Sequence, residues 1–175
     1  MLQSFIIFDI MTLSKNISKL QISIPFWISF VLLVVSLTQT GYTVDLGDKK
    51  DDSPAFFEFL IGWTGIFCMP YLVPWLANPS LIISWILFGK KANTSLLFSF
   101  LSVAFATSFL LFDKVPINEA PTYKPIAHIG VGYWLWLLSC TSFFLGTYII
   151  LVRRNFKLKK AAMKANPSQS QDRQL

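Results

Sequence analysis

The stretch IPFWISFVLLVVSL, residues Ile24–Leu37, forms the centre of the first long apolar segment in the chain, Gln21–Gln39. As an α-helix, about 19 residues extend about 28 Å, which is close to the thickness of the hydrocarbon core of a bilayer. Pro25 falls in the first turn, where a missing backbone N–H costs little. The segment therefore predicts a helix that crosses a membrane.

Further apolar segments of bilayer length follow at Met69–Gly89, Asn93–Phe112 and Ile126–Val152. The stretches 40–54 and 113–125 are polar and contain proline, so we expect loops there. A single straight helix over 55–89 would be about 52 Å long, so Ala55–Cys68 is expected to form a separate short helix, interfacial or re-entrant, on the outer face. The pattern predicts an all-α polytopic membrane protein with four transmembrane helices and this short outer-face helix.

The same pattern predicts three regions along the chain. Residues 1–20 form a cytoplasmic N-terminal segment, 21–152 the transmembrane domain, and 153–175 a basic cytoplasmic tail that is largely disordered at its end. Because the membrane pattern begins only after Lys19, both Met1 and Met11 stay open as the first residue of the protein.

Composition favours lipid over water as the solvent of this chain. Of the 175 residues, 54% are hydrophobic and only 14% are charged, whereas roughly a quarter of the residues in soluble domains are charged. A soluble fold of this size could not bury so much apolar surface. The net charge of +6 lies outside the apolar runs, so contact with anionic lipid explains it better than nucleic-acid binding does.

Lysine and arginine placement predicts the orientation in the membrane. With the N-terminus inside, Lys90, Lys91 and the basic tail fall on one side, and the outer side receives few cations. We therefore expect a multi-pass protein of the inner (cytoplasmic) membrane with both termini in the cytoplasm. The residues expected to contact lipid headgroups are Arg153, Arg154, Lys157, Lys159 and Lys160.

Residues that could carry chemistry are few. The chain contains no nucleophile elbow, P-loop or zinc-protease motif and only one histidine, His128. No catalytic residue, metal site or cofactor is therefore predicted. Glu58 and His128, with Asn78 and Tyr133, are candidates for a ligand-binding or proton-linked site, because ionisable groups at membrane depth are often functional. The alternative is that Glu58 and His128 are solvated in the headgroup region.

Prolines predict a kink in one helix, and small residues predict a packing face on another. Pro70, Pro74 and Pro79 predict a kink in the second crossing, which either lines a substrate path or is only structural. Small residues at spacings of four, three and four predict a close-packing helix face. They are Ser95, Ser99, Ser102 and Ala106.

The run GVGYWLWLLS, residues 130–139, combines glycines with three aromatic residues. It indicates either a site for a lipid or quinone-like ring, or an aromatic belt with small residues at a helix contact.

Four segments together resemble a group of small uncharacterised bacterial four-span membrane proteins. They are GWTGIF (62–67), PWLANPSLIISWILF (74–88), NEAP (118–121) and IGVGYWLWLLS (129–139). The resemblance covers roughly residues 56–150 and implies a bacterial inner-membrane setting, but it implies nothing about a substrate.

These observations predict a small accessory or structural membrane protein that acts through lipid, another membrane protein or a second copy of itself. The alternative is a small transporter or channel subunit whose kinked second crossing lines the path. An enzyme is the least favoured class, because function requires a site and no catalytic motif is present.

Overall fold

The computed structural model describes residues 24–68, 71–116 and 122–165. The helices are α1 (Ile24–Leu37), α2 (Ala55–Ile61), α3 (Leu72–Trp75), α4 (Ala77–Leu87), α5 (Ala92–Ser108) and α6 (Val131–Ala165). A 3-10 helix, Gly62–Cys68, follows α2, and another, Phe109–Leu111, extends α5. The strands are β1 (Thr40–Asp45), β2 (Lys50–Pro54), β3 (Lys114–Pro116) and β4 (Tyr123–Ile129), which form one antiparallel sheet in the order β2-β1-β4-β3.

The prediction of an all-α fold with four transmembrane helices is wrong. The stretches 40–54 and 113–125, predicted as loops, supply most of a four-stranded sheet. Among the described residues, only Ala92–Leu111 and Val131–Lys160 are long and apolar enough to cross a membrane. Two further apolar helices, Ile24–Leu37 and Leu72–Leu87, are shorter within the described residues, and Ile24 is the first of those residues.

The sheet joins two hairpin strands, β1 and β2, to two strands from a distant part of the chain, β3 and β4. β1 pairs with its hairpin partner β2 and also with β4, where Tyr42 lies opposite Ile129 and Val44 opposite Ile126. Residues 126–129 therefore belong to β4, and α6 begins only at Val131, five residues later than predicted. Val44 and Val115 are the buried side chains of the sheet.

Helices α1 and α6 run antiparallel and lie very close together. The Ser29 and Ser139 hydroxyl oxygens are 3.1 Å apart, and the Ser139 hydroxyl also donates to the Ser29 carbonyl at 2.7 Å. Pro25 contacts α6 at Gly146, toward the C-terminal half of that helix. The N-terminal end of α1 therefore points toward the same end of the molecule as the C-terminal end of α6.

Small residues of α5 face its neighbours, α4 and α6. Ser95, Ser99, Ser102 and Ala106, the predicted packing face, are all fully buried, and the Ser95 hydroxyl donates to the Ser84 carbonyl at 2.8 Å. Small side chains permit this close approach of helix backbones.

The helical part buries small polar side chains together with an apolar centre and exposes many large apolar side chains. Serines and a threonine are fully buried, while the exposed side chains of the same helices include Val31, Ile86, Leu97 and Leu138. A compact apolar cluster fills the centre. It consists of Leu33, Ala77, Leu81, Phe88, Ala106, Cys140 and Phe143.

The break between α3 and α4 lies at Leu76, between the predicted kink residues Pro74 and Pro79. Pro79 occupies the first turn of α4, where its missing N–H costs little, and Pro74 is buried within α3. Pro70 lies outside the described residues.

The two ends of the molecule differ in charge. The sheet end, made of β1–β4, α2, the β1–β2 turn and Asp113 beside β3, carries six carboxylates and four lysines among the described residues. Over residues 87–91 and 151–160, the basic end carries seven lysines and arginines and no carboxylate. These cations are Lys90, Lys91, Arg153, Arg154, Lys157, Lys159 and Lys160.

Candidate ligand-binding cavity

A cavity of about 110 Å³ lies where the sheet meets the helices. Its walls come from the end of α1, from β1, from α2 and α3, and from the first turns of α4 and α6. Most of the large side chains around it are aromatic. They include Tyr42, Phe59, Trp75, Phe109, Tyr133 and Trp136. An apolar cavity of about 150 Å³ in a protein core can bind benzene, so this space suits a compact organic group.

Glu58 supplies the carboxylate of the cavity. It lies on α2, which begins directly after β2 and is tied to the end of α1 by the bond from the Ala55 N–H to the Gln39 carbonyl, at 3.0 Å. One carboxylate oxygen, Oε1, accepts hydrogen bonds from the Tyr42 hydroxyl at 2.9 Å and the Ser53 hydroxyl at 2.5 Å. The hairpin and α2 thus hold the carboxylate in one position.

The Tyr42 hydroxyl is held in its neutral, donating form. Burial raises the pKa of this phenol well above its usual value, and the nearby Glu58 charge and hydrogen bond raise it further. A protonated phenol can donate to a carboxylate, whereas a phenolate would repel it. Tyr42 is therefore a fixed donor to Glu58 at ordinary pH.

The aromatic side chains of the cavity form a continuous group. The Tyr133 ring centroid lies 5.2 Å from that of Phe109 and 5.8 Å from that of Trp136. Phe109 in turn lies 5.5 Å from Tyr42. Contacts at these separations stabilise the ring arrangement beyond simple burial, so the cavity wall is preformed.

The hydrogen-bond donors on these rings are used within the protein. The Trp136 indole donates to the Asn78 side-chain oxygen at 2.8 Å, and the Tyr133 hydroxyl donates to the Ala106 carbonyl at 3.0 Å. The Trp75 indole donates to the Phe59 carbonyl at 2.9 Å. The rings therefore present mainly their faces and edges to the cavity.

Ser36 adds a hydroxyl that has no protein partner among the described residues. Its side chain is only 1% exposed, and its oxygen is buried beside the cavity. A buried polar group without a partner costs about 1–3 kcal/mol. A bound molecule or water in the cavity would remove that cost.

Gly132 permits the close approach that shapes one wall. A Cβ atom at this position would lie 2.8 Å from the Thr40 carbonyl oxygen, 3.0 Å from that of Ser36 and 3.1 Å from the Ala55 Cβ. Any larger residue would push α6 away from the junction of α1 with β1. The cavity therefore depends on glycine here.

The structure brings three of the four predicted site residues together, since Glu58, Asn78 and Tyr133 all line the cavity. His128 does not line it; this residue is exposed on β4, opposite Thr43. The pairing of Glu58 with His128 is thus absent, because residues 126–129 form a strand and not the start of α6.

Sequence reasoning missed Ser36, Tyr42 and Trp75 as lining residues. Ser36 lies in an apolar run that looks uniform in sequence, and Tyr42 lies in a stretch predicted as a loop. The signal that pointed to this region is the run 130–139, which contributes Gly132, Tyr133 and Trp136 to the cavity.

The predicted headgroup contacts lie at the opposite end of the molecule. Arg153, Arg154, Lys157, Lys159 and Lys160 are exposed along the C-terminal part of α6. Arg154 also lines a recess of about 390 Å³ together with Lys91. Among the described residues, no group of three or more His, Cys, Asp or Glu side chains could hold a metal ion.

No protein-family model matches the chain, and the searches of curated proteins and of solved structures find no match. The resemblance to small bacterial membrane proteins therefore stays a prediction.

Proposed function

We propose that this chain is a small membrane protein that binds a compact amphipathic organic molecule in the cavity at its sheet end. The observation that carries the proposal is the cavity itself, whose wall is aromatic and whose polar groups converge from separate elements. Ligand sites are usually concave, mostly apolar and furnished with a few placed polar groups. Glu58 and Ser36 are such groups here.

The membrane setting is supported by the two long apolar helices. In the most apolar window of each, only 22% of the residues are buried within the protein. The core helix of a soluble protein would be mostly buried, whereas these helices expose Leu97, Phe100, Leu138 and Leu145. Lipid is the environment in which such exposure is favourable.

The charge distribution supports one orientation across that membrane. The basic end belongs on the cytoplasmic side of a bacterial inner membrane, and the sheet end with its cavity belongs on the opposite side. Because α1 is antiparallel to α6, Ile24, the first described residue, lies toward the basic end. Both termini are then cytoplasmic, and the basic end contacts anionic headgroups.

Binding explains the cavity better than conduction does. Toward the basic end, the described helices are filled by Leu33, Leu81, Phe88 and Phe143, which belong to the central apolar cluster. A transport path through one copy would have to pass through this packing. A protein that binds a ligand in this cavity can still act as an accessory to another membrane protein. The ligand would then serve as a structural or sensory element.

Purification from native membranes in mild detergent, followed by mass spectrometry of bound small molecules, tests the proposal. The unmodified chain should carry a molecule that is lost from Ser36→Leu, because the larger apolar side chain enters the cavity. The matched control is Thr147→Val, which alters another buried hydroxyl without a partner among the described residues, one that does not line the cavity. Equal recovery from the three chains, or no bound molecule in any, would refute the proposal.

A further inference from the structure

We infer that the molecule bound in this cavity is an organic cation, held by the Glu58 carboxylate and by the faces of the surrounding aromatic rings. The inference rests on the proposed function and names the chemical class of its ligand. It is drawn from the charge of the cavity, from the state of its hydrogen-bond donors and from its size.

Charge is the first reason. Glu58 accepts hydrogen bonds from Tyr42 and Ser53, both through the same carboxylate oxygen, and forms no ion pair with any described residue. A partly buried carboxylate is costly unless a positive charge or further donors accompany it. A ligand with a positive charge supplies what the protein does not.

The donors of the cavity are the second reason. The hydroxyls of Tyr42 and Tyr133 and the indoles of Trp75 and Trp136 all donate to protein acceptors. An anionic ligand, or one rich in acceptors, would find these four donors already engaged, although the Ser36 hydroxyl has no protein partner among the described residues. The rings still offer their electron-rich faces, and a cation within about 6 Å of a ring centroid is attracted by them.

The size of the cavity and the charge of the surrounding sheet end are consistent with an organic cation. The cavity of about 110 Å³ suits a compact ammonium group better than an extended polycyclic ring. The six carboxylates of the sheet end outnumber its four described lysines. Such an imbalance raises the local concentration of cations at the surface.

The test compares two probes of nearly equal shape on the full chain in detergent. Choline carries a trimethylammonium group, and 3,3-dimethylbutan-1-ol replaces that group with a neutral tert-butyl group. Isothermal titration should show choline binding at least about tenfold more tightly than the neutral alcohol. Glu58→Gln should remove most of this preference, because the amide keeps an oxygen acceptor for Tyr42 and Ser53 but loses the charge.

Asp48→Asn is the matched control, since it removes one negative charge from the exposed hairpin turn, outside the cavity. It should change the affinity for choline less than about twofold, as expected for a screened surface charge. Comparison of the two probes on the unmodified chain shows whether the cavity prefers a cation even if Glu58→Gln does not fold.

Equal binding of both probes would overturn the cationic ligand while leaving the proposed function intact. If neither probe binds although mass spectrometry finds a native molecule in the protein, the inference of a cationic ligand fails and the proposed function stands. Failure of both probes together with an empty cavity in mass spectrometry would overturn both proposals.

Discussion

Gly132→Ala is expected to loosen the junction on which the cavity depends. The new Cβ would lie 2.8 Å from the Thr40 carbonyl oxygen and 3.1 Å from the Ala55 Cβ, both too close for ordinary contact. Overpacking of this kind costs about 1–3 kcal/mol. Alanine returns about 1 kcal/mol through its higher helix propensity, so the expected net loss in the free energy of unfolding is up to about 2 kcal/mol.

Unfolding by sodium dodecyl sulfate in mixed micelles, followed by circular dichroism, measures this loss. Gly89→Ala is the control, because a Cβ at that position meets no atom within 4 Å. That variant should match the unmodified protein or gain up to about 1 kcal/mol. If Gly132→Ala proves as stable as Gly89→Ala, α6 does not approach the α1–β1 junction as described.

Three further outcomes test other parts of the structure. Ser139→Ala should lower the free energy of unfolding by about 0.6–1.7 kcal/mol in the same assay, and the loss in the double variant with Ser29→Ala should differ from the sum of the two single losses. Additive losses would contradict the α1–α6 contact. Trp136→Phe should lower the free energy of unfolding by about 1–3 kcal/mol, because it leaves the buried Asn78 amide oxygen without its donor. Trp134→Phe, on the exposed face of α6, should change that free energy by less than about 0.5 kcal/mol. Tyr42 should stay protonated in the folded protein as the pH rises past about 10, the usual tyrosine pKa, so its contribution to stability is constant below that pH and falls above it as the unfolded chain ionises. An absorbance titration near 295 nm in which Tyr42→Phe removes a transition with the usual tyrosine pKa would contradict this prediction.

Periodicity and length were sufficient to predict the long helices. The segment predicted at Asn93–Phe112 corresponds to Ala92–Leu111, and the small-residue face of α5 is fully buried. These features are local, because apolar length and four-residue spacing are properties of consecutive residues. The charged residues at the basic end could be located for the same reason.

The sheet could not be predicted in this way. Val44 of β1 and its partner Ile126 of β4 are 82 residues apart in the chain, and neither strand is apolar enough to look buried. Polar composition and prolines made these stretches resemble loops. Their pairing depends on the helices, which bring these two distant stretches of the chain side by side.

The cavity was predictable only in part, because its residues come from eight separate elements, including the two 3-10 helices. Glu58 and Tyr133 stood out as polar groups near apolar segments, whereas Ser36 and Tyr42 became visible only once α1 and β1 were placed beside α6. The pairing of Glu58 with His128 failed because a strand displaced the start of α6 to Val131.

Labelling from one side of the membrane tests the central claim most directly, namely that the sheet end and the basic end lie on opposite faces. Asp48→Cys and Lys157→Cys would each be made in a chain carrying Cys68→Ser and Cys140→Ala. An impermeant maleimide added to intact cells should label the variant with the cysteine at position 48, and the one at position 157 only after the membrane is opened. Labelling of both variants in intact cells, or of neither until the membrane is opened, would contradict the account.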